Sequence, residues 1–418
     1  MLHLYRSPIR ILLVTLCLLA GATVIHASEP DAINISNDIQ QFHLPYGTML
    51  DPVFASSDPA SPNFSTIVSY TRAGDSATWT GHYLAAEAFR YKVTRSPEAL
   101  ANAWVALRGI RSLIDVTGNG VLARCLAPAD SPYAAAIQRE EAGHGIYYTV
   151  FGGRSYFWIG NTSRDQYSGV MFGLSAAYDM IDDPTVRDFI RTDVTRILRF
   201  LINRGWNVVM PNGSISTTFL HRADQQLSFL QVGRRINPGE FDWTYKLYRT
   251  FYAVFVMAPI QYDDFDDHNH YFKFNINYIN LYDLLRLEEA GSLSRGIYMR
   301  AYDELRRTTE NHGNAFFNML DRVIKGGNTG HDLETITLLD MWLNRPRRDN
   351  WLNLRGTEPA CGDDRACVPI PVNIRINTDF LWQRSPFLLY GGGAGVIETA
   401  GIDYILPYWM SRAYGLAQ

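Results

Sequence analysis

A mainly α fold is what this sequence predicts, specifically an (α/α)6-type toroid of helical hairpins with small β excursions. Three observations predict it. From residue 78 onward helical patterns recur in pairs joined by short turns. Within each pair the first helix is apolar, small or aromatic nearly all round, whereas the second is amphipathic and rich in Arg, Asp and Glu. No Ser/Gly/Pro-rich linker divides the chain.

The N-terminus reads as an export signal over residues 1–27. Arg6 and Arg10 make a basic start, Ile11 to Ile25 an apolar run, and Ala27 a small residue before cleavage at Ser28. That run is shorter than the ~20 apolar residues a membrane span needs, and Leu16 stands where a lipoprotein signal wants a small residue before Cys17. The expected location is periplasmic or secreted, with residues 28–418 forming one domain and no stable membrane insertion after cleavage. FYAVFVMAPI at 251–260, the nearest later approach to a span, reads as a buried core helix.

The hairpins follow in order. Residues 78–92 place Tyr83, Ala85, Ala86 and Phe89 on one face; Ser96-Pro97-Glu98 then caps a partner helix running to about Asp115. A second hairpin pairs 164–181 with 185–203 around Asp182-Asp183-Pro184, and another pairs 268–289 with 293–310 around Ala290-Gly291-Ser292. Helices also suit 221–234, 241–257 and 331–344. The loose spacing does not fit solenoid repeats of about 34 or 40 residues. Two regions break the pattern: 121–162 reads as a β-hairpin around Gly152-Gly153, and 355–400 contains PIPVNIRIN, read as a short strand, and a glycine run at 391–393. A helix after Asp403 closes the ring. Arg384 and Glu398 are open to an alternative role as a wall of the cleft.

Composition limits function. A net charge of -4 with 19% charged residues argues against a nucleic-acid partner, and 47% hydrophobic residues support a large core. Aromatics reach 13%, which suits either a bulky core or a cleft whose rings stack on sugars. Cys361 and Cys367 flank a polar GDDRA loop and form the natural disulfide in an oxidising compartment, leaving Cys125 over. Phosphate-cradling loops, G-x-S-x-G elbows and H-E-x-x-H motifs are missing from the sequence. No cofactor or metal is expected: His268 and His270 point apart on a helix, and the run Asp263, Asp264, Asp266, Asp267 lacks calcium-loop spacing and reads as a solvated turn.

In a toroid the segments entering the inner helices share one mouth. Those read here as GDSATWTGHY at 74–83, NTSRDQYSG at 161–169, FLHRADQQ at 219–226, DDHNHYFKFN at 266–275 and GNTGHDLE at 327–334. Each carries a carboxylate, a His or both, where helix N-termini favour anionic groups. Asp75 and Asp165 are the candidate catalytic pair, as glycosidic hydrolysis needs one acid and one base or nucleophile. Substrate-binding candidates are Trp79, Tyr83, Tyr167 and Trp243 as rings, His82, His221, His270 and His331 as hydroxyl partners, and Asp242, Arg164 and Arg384 as charges.

The hairpin arrangement over residues 70–415 resembles the six-hairpin glycosidase superfamily and the related toroids of polysaccharide lyases, at the level of architecture. The resemblance implies an exported carbohydrate-active enzyme, foremost a glycoside hydrolase. Alternatives are a lyase on uronate polymers, in which Arg164 and Arg384 neutralise the carboxylate, or a non-catalytic glycan-binding or envelope scaffold. Oligomeric state is left open.

Overall fold

Small residues at helical spacing let helices approach until their backbones touch, and two segments of this chain meet in that way. The computed structural model describes residues 27–264, 271–362, 364–377 and 384–417. Residues 1–26 of the expected export signal, His268, His270, Asp266 and Asp267 lie outside the described residues.

The helices in chain order are α1 (Glu29–Asp38), α2 (Ser76–Thr94), α3 (Pro97–Asp115), α4 (Ala134–Glu140), α5 (Arg164–Met180), α6 (Pro184–Asn203), α7 (Ala223–Ile236), α8 (Pro238–Tyr252), α9 (Met257–Asp264), α10 (Phe272–Leu287), α11 (Leu293–Thr309), α12 (Ala315–Lys325), α13 (Thr329–Leu343) and α14 (Ile402–Ala413). The expected hairpins are present, with ends within a few residues of the sequence reading. Their starts are capped as the sequence suggests: Ser96, Asp183, Ser292 and Asn328 each accept from backbone amides of the helix they open.

Two classes of helix separate by burial. Residues 76–90 of α2 are buried without interruption, as are most positions of α5, α7, α10 and α14. These pack on one another: α2 on α5, α5 on α7 and α10, α7 on α10, α10 on α12, α12 on α14, and α14 on α2. Amphipathic helices lie against them, with α3 on α2, α6 on α5 and α7, α8 on α7, α11 on α10, α13 on α12 and α1 on α14.

The α2–α5 contact is the tightest. A Cβ on Gly81 would lie 2.0 Å from the Gly169 carbonyl oxygen, and one on Gly173 would lie 2.2 Å from that of Gly81. Any side chain at these positions would separate the helices.

Strands occupy the links that lead into the buried helices: β1 (Asp51–Phe54) and β2 (Ile67–Thr71) before α2, and β3 (Cys125–Pro128), β4 (Ile146–Phe151) and β5 (Arg154–Ile159) before α5. β6 (Asn207–Val209) and β7 (Ile215–Thr218) precede α7, and β8 (Arg348–Asn353) and β9 (Tyr390–Glu398) precede α14. The hairpin expected within 121–162 is β4–β5, to which β3 adds a third antiparallel strand. β9 joins β8 to β1 in the sheet β2-β1-β9-β8, tying the C-terminal part of the chain to the N-terminal part. Where β9 meets the start of the chain, His43 lies buried with Nδ1 3.4 Å from Asp51 and Nε2 3.8 Å from Glu398, whose carboxylate also pairs with Arg347 and Arg348.

Several expectations are corrected. PIPVNIRIN is not a strand: Val372–Ile374 is a single 3-10 turn, and Pro369 and Pro371 lack the N–H a ladder needs. Residues 251–260 are not a buried helix. Pro259 cannot donate to the Phe255 carbonyl, so α8 ends at Tyr252 and α9 begins at Met257. Phe251, Val254 and Phe255 are exposed. Asp263 is not on a solvated turn but buried against Arg222 at 2.8 Å. Helices α1 and α12 were not anticipated. Cys361 and Cys367 form the disulfide, and Cys125 is buried and unpaired. Among the described residues no helix is long and apolar enough to cross a membrane.

Two predictions follow from packing and charge. Gly173→Ala should lower stability by about 1–3 kcal/mol, read as a lower denaturation midpoint. Gly239→Ala in α8, whose added methyl meets open space, should leave the midpoint unchanged or raise it. For the buried His43, burial opposes the charge but bonds to Asp51 and Glu398 outweigh it, leaving its pKa raised from 6.5. Burial also opposes charge on Glu398, yet His43 and Arg347 hold its pKa down at about 2 against an ordinary 4.5. Glu398 therefore stabilises the fold above pH 4.5 and loses that effect as pH falls toward 2. His43 stabilises it below pH 6.5 and loses that effect as pH rises through its raised value. The Tm difference between wild type and Glu398→Gln should be largest between about pH 4.5 and 6.5, and shrink on both sides.

Candidate active site

The first turn of a helix leaves amides without intrahelical partners, and an Asp at the N-cap ordinarily takes one. Asp75 stands at the N-cap of α2 and caps nothing in its own helix. Gln166, in the first turn of α5, does that work from across the contact: its Oε1 accepts from the Thr78 amide at 3.0 Å. The same side chain then turns its Nε2 toward two carboxylates, 3.2 Å from Asp75 Oδ1 and 3.2 Å from Asp165 Oδ2. Those two oxygens are therefore separated by at most twice that distance.

Arg124, just before β3, clips the two entry segments together. Its guanidinium donates to the Gly74 carbonyl at 2.8 Å, the Asn161 carbonyl at 3.0 Å and Ser163 Oγ at 2.8 Å, and lies 4.0 Å from Asp75. Ser163 in turn donates to Asp165 Oδ1. Glu141 accepts from the Gly74 amide at 2.7 Å. Each entry segment also carries a non-glycine residue in the left-handed region, Arg72 (φ 61°) before α2 and Asn161 (φ 47°) before α5. Such backbone is held only where surrounding bonds over-determine it.

Asp165 opens onto a cleft of about 190 Å³ between the starts of α5, α7 and α10, lined among others by Arg164, Arg222, Gln225, Asp263, Phe272, Lys273 and Asn277. Arg222 makes four hydrogen bonds, to Asp224, Asp263 and Asn277 at 2.7–3.1 Å. Burial disfavours its charge, but Asp224 and Asp263 more than compensate and its pKa is raised. Asp75 and Asp165 are both partly open to solvent.

The other sequence candidates divide by position. Trp79, His82, Tyr83 and Tyr167 follow the acids into α2 and α5 but are buried, so none presents a face to a ligand. Tyr167 spends its hydroxyl on the Leu122 amide, and Tyr83 accepts from Gln40. His82 bonds the Thr78 carbonyl at 2.8 Å, and burial lowers its pKa to about 4, so it stays neutral. His221 is exposed in the loop before α7. Asp242 and Trp243 cannot reach the mouth: Asp242 pairs with Arg234 in the last turn of α7, ~15 Å along that helix from Asp224. His331 is likewise misplaced, because 327–334 leads into α13, a helix on the outside of α12. Arg384 is exposed. Gln166 and Arg124 carry the arrangement and were missed, although Gln166 directly follows Asp165.

Comparison with family models, with curated proteins and with solved structures returns no match.

Arg124→Gln should loosen both entry segments, since three bonds from a charged donor are lost at about 1.5–3 kcal/mol each before relaxation. Amide hydrogen exchange should rise at 72–76 and 160–166 while α10 and α14 stay protected. Uniform loss of protection would contradict a local clip.

Proposed function

We propose that this chain is an exported carbohydrate-active enzyme, a glycoside hydrolase whose paired carboxylates are Asp75 and Asp165, built on an (α/α)6 toroid. The run of contacts from α2 through α5, α7, α10, α12 and α14 back to α2 supports a closed inner ring, with α3, α6, α8, α11, α13 and α1 outside it.

The observation that carries the chemistry is the sharing of one Gln166 amide by both acids. Separate helix caps would each spend a carboxylate on the local backbone. Here the capping bond to α2 is made by Gln166 instead, and both carboxylates lie within hydrogen-bond reach of its amide while partly open to solvent. Hydrolysis of a glycosidic bond takes one protonated carboxyl to release the leaving oxygen and one carboxylate to attack or to activate water. Because one amide nitrogen reaches an oxygen of each acid at 3.2 Å, the two carboxyl groups approach one another closely, which favours the retaining class, spaced at about 5–5.5 Å, over the inverting class at roughly 6.5–9.5 Å. Phe272 supplies the ring on the cleft wall that the buried Trp79 and Tyr167 do not.

The test is a reducing-end and 235-nm absorbance screen of residues 28–418 against a polysaccharide panel, beside Asp75→Asn and Asp165→Asn. New reducing ends without absorbance, reduced at least ~10³-fold in either folded variant, are expected, with the product anomer retained by NMR. Absorbance gain would replace the hydrolase with a uronate lyase. Glycan binding without turnover, equal in all three proteins, would leave a binding scaffold.

A further inference from the structure

We infer that the cleft beside Asp165 takes a saccharide unit bearing an anionic group, a carboxylate or a sulfate, with Arg164 as the residue that recognises it. This rests on the hydrolase reading above and narrows its substrate class.

Arg164 is the first residue of α5 and adjoins Asp165. A guanidinium offers five donors. Arg164 makes one hydrogen bond, to the Thr218 carbonyl at 3.2 Å, and has no carboxylate within ion-pairing distance among the described residues. The contrast with its neighbours is sharp, because Arg222 is matched by two carboxylates and Arg124 by three oxygens. Arg164 is nonetheless half-buried in the cleft wall, where unspent charged donors are costly. Burial, and then repulsion from Arg222, lower its pKa, and the more distant carboxylates of Asp224, Asp263 and Asp165 do not make up the difference. An arriving anion would offset that deficit, and the planar fork suits bidentate binding of a carboxylate or sulfate.

A second observation is independent of the charge. Gln225 lines the same cleft and is buried, and its Oε1 has no hydrogen-bond partner. A small turn of that side chain would bring an unpaired acceptor to the cleft, which a sugar hydroxyl satisfies and a bare inorganic anion does not. A cation with donors to spare and an unpaired neutral acceptor on one wall together suit a hydroxylated acid. The cleft volume of about 190 Å³ is the room of roughly six waters, enough for one ring-sized unit beside the acid pair.

The test is calorimetric binding of residues 28–418 to glucuronate, galacturonate, mannuronate and sulfated galactose oligosaccharides, each beside its carboxyl-reduced or desulfated counterpart. At least one acidic member should bind ~10-fold or more tightly than its neutral form, a preference of the size one charged pair supplies. Arg164→Gln should bring that ratio close to 1 while neutral affinity stays unchanged. Arg164→Lys, which keeps the charge and loses the fork, should retain an intermediate ratio and guards against misfolding of the glutamine variant. Equal affinity for acidic and neutral forms, absence of acidic binding, or a preference that survives Arg164→Gln would overturn the inference. The two readings fail separately. Acidic binding lost with Arg164 but never followed by cleavage would sink the hydrolase alone, and cleavage of acidic and neutral chains with equal efficiency, in the wild type and in Arg164→Gln alike, would sink the anion site alone.

Discussion

The backbone contact between α2 and α5 is the constraint on which the rest of the molecule depends. Helices ordinarily pack with axes about 8–10 Å apart because side chains intervene. At Gly81, Gly169 and Gly173 nothing intervenes, and a Cβ at any of the three would fall within 3 Å of the opposite backbone. Glycine inside a helix costs about 1 kcal/mol relative to alanine, so three of them weaken these helices taken singly. What the contact supplies is position. With the two helices touching, their first turns lie side by side, and one Gln166 side chain can span from the Thr78 amide to both Asp75 and Asp165. A wider crossing would leave Gln166 on one helix and Asp75 on the other, each capping locally.

That position also settles how two carboxylates tolerate one another. Both sit at helix N-termini, where the aligned peptide dipoles favour negative charge. The Gln166 amide donates to each, and Arg124 stands 4.0 Å from Asp75 while holding Ser163, which donates to Asp165. The cations around the mouth divide unevenly. Arg124 and Arg222 are consumed in holding the entry segments and α10 together, whereas Arg164 is not, and this inequality separates scaffold charge from charge available to a ligand.

Much of the fold was legible because the hairpins obey a simple rule. A helix apolar all round must be buried, and one with a single apolar stripe must lie outside it. The rule located α2, α5 and α10 and their partners α3, α6 and α11. It missed α12, a largely buried helix of 11 residues whose apolar and polar faces are sharply divided, and the polar segment before α13 was taken for the entry to a buried helix in its place. The closeness of Asp75 and Asp165 could be anticipated because both fall where a buried helix begins. Gln166 was not, because its role comes from bridging two helices 88 residues apart in sequence between Thr78 and Gln166, and no local pattern encodes that distance.

The aromatic content suited either a bulky core or sugar platforms, and the core accounts for most of it: Tyr83, Tyr167, Tyr278, Tyr282 and Tyr302 are wholly buried in the helical layers. Each brings a hydroxyl that must be satisfied, and each finds a polar partner contributed by another element: Gln40, the Leu122 amide, Thr309, Tyr414 and Asp321. The same economy runs along the α5–α10 contact, where Ser168 meets Asn280, Ser175 meets Asp283, and Arg286 joins Asp283 to Asp179. An interior built of paired polar groups on facing helices fixes register more narrowly than an aliphatic one, since a one-turn slip would strand several buried donors at once. The Gln166 bridge depends on that precision, because it spans from the Thr78 amide to Asp75 and Asp165 only while α2 and α5 keep their relative heights. These buried tyrosines therefore act on the entry segments through the placement they enforce rather than through any surface of their own.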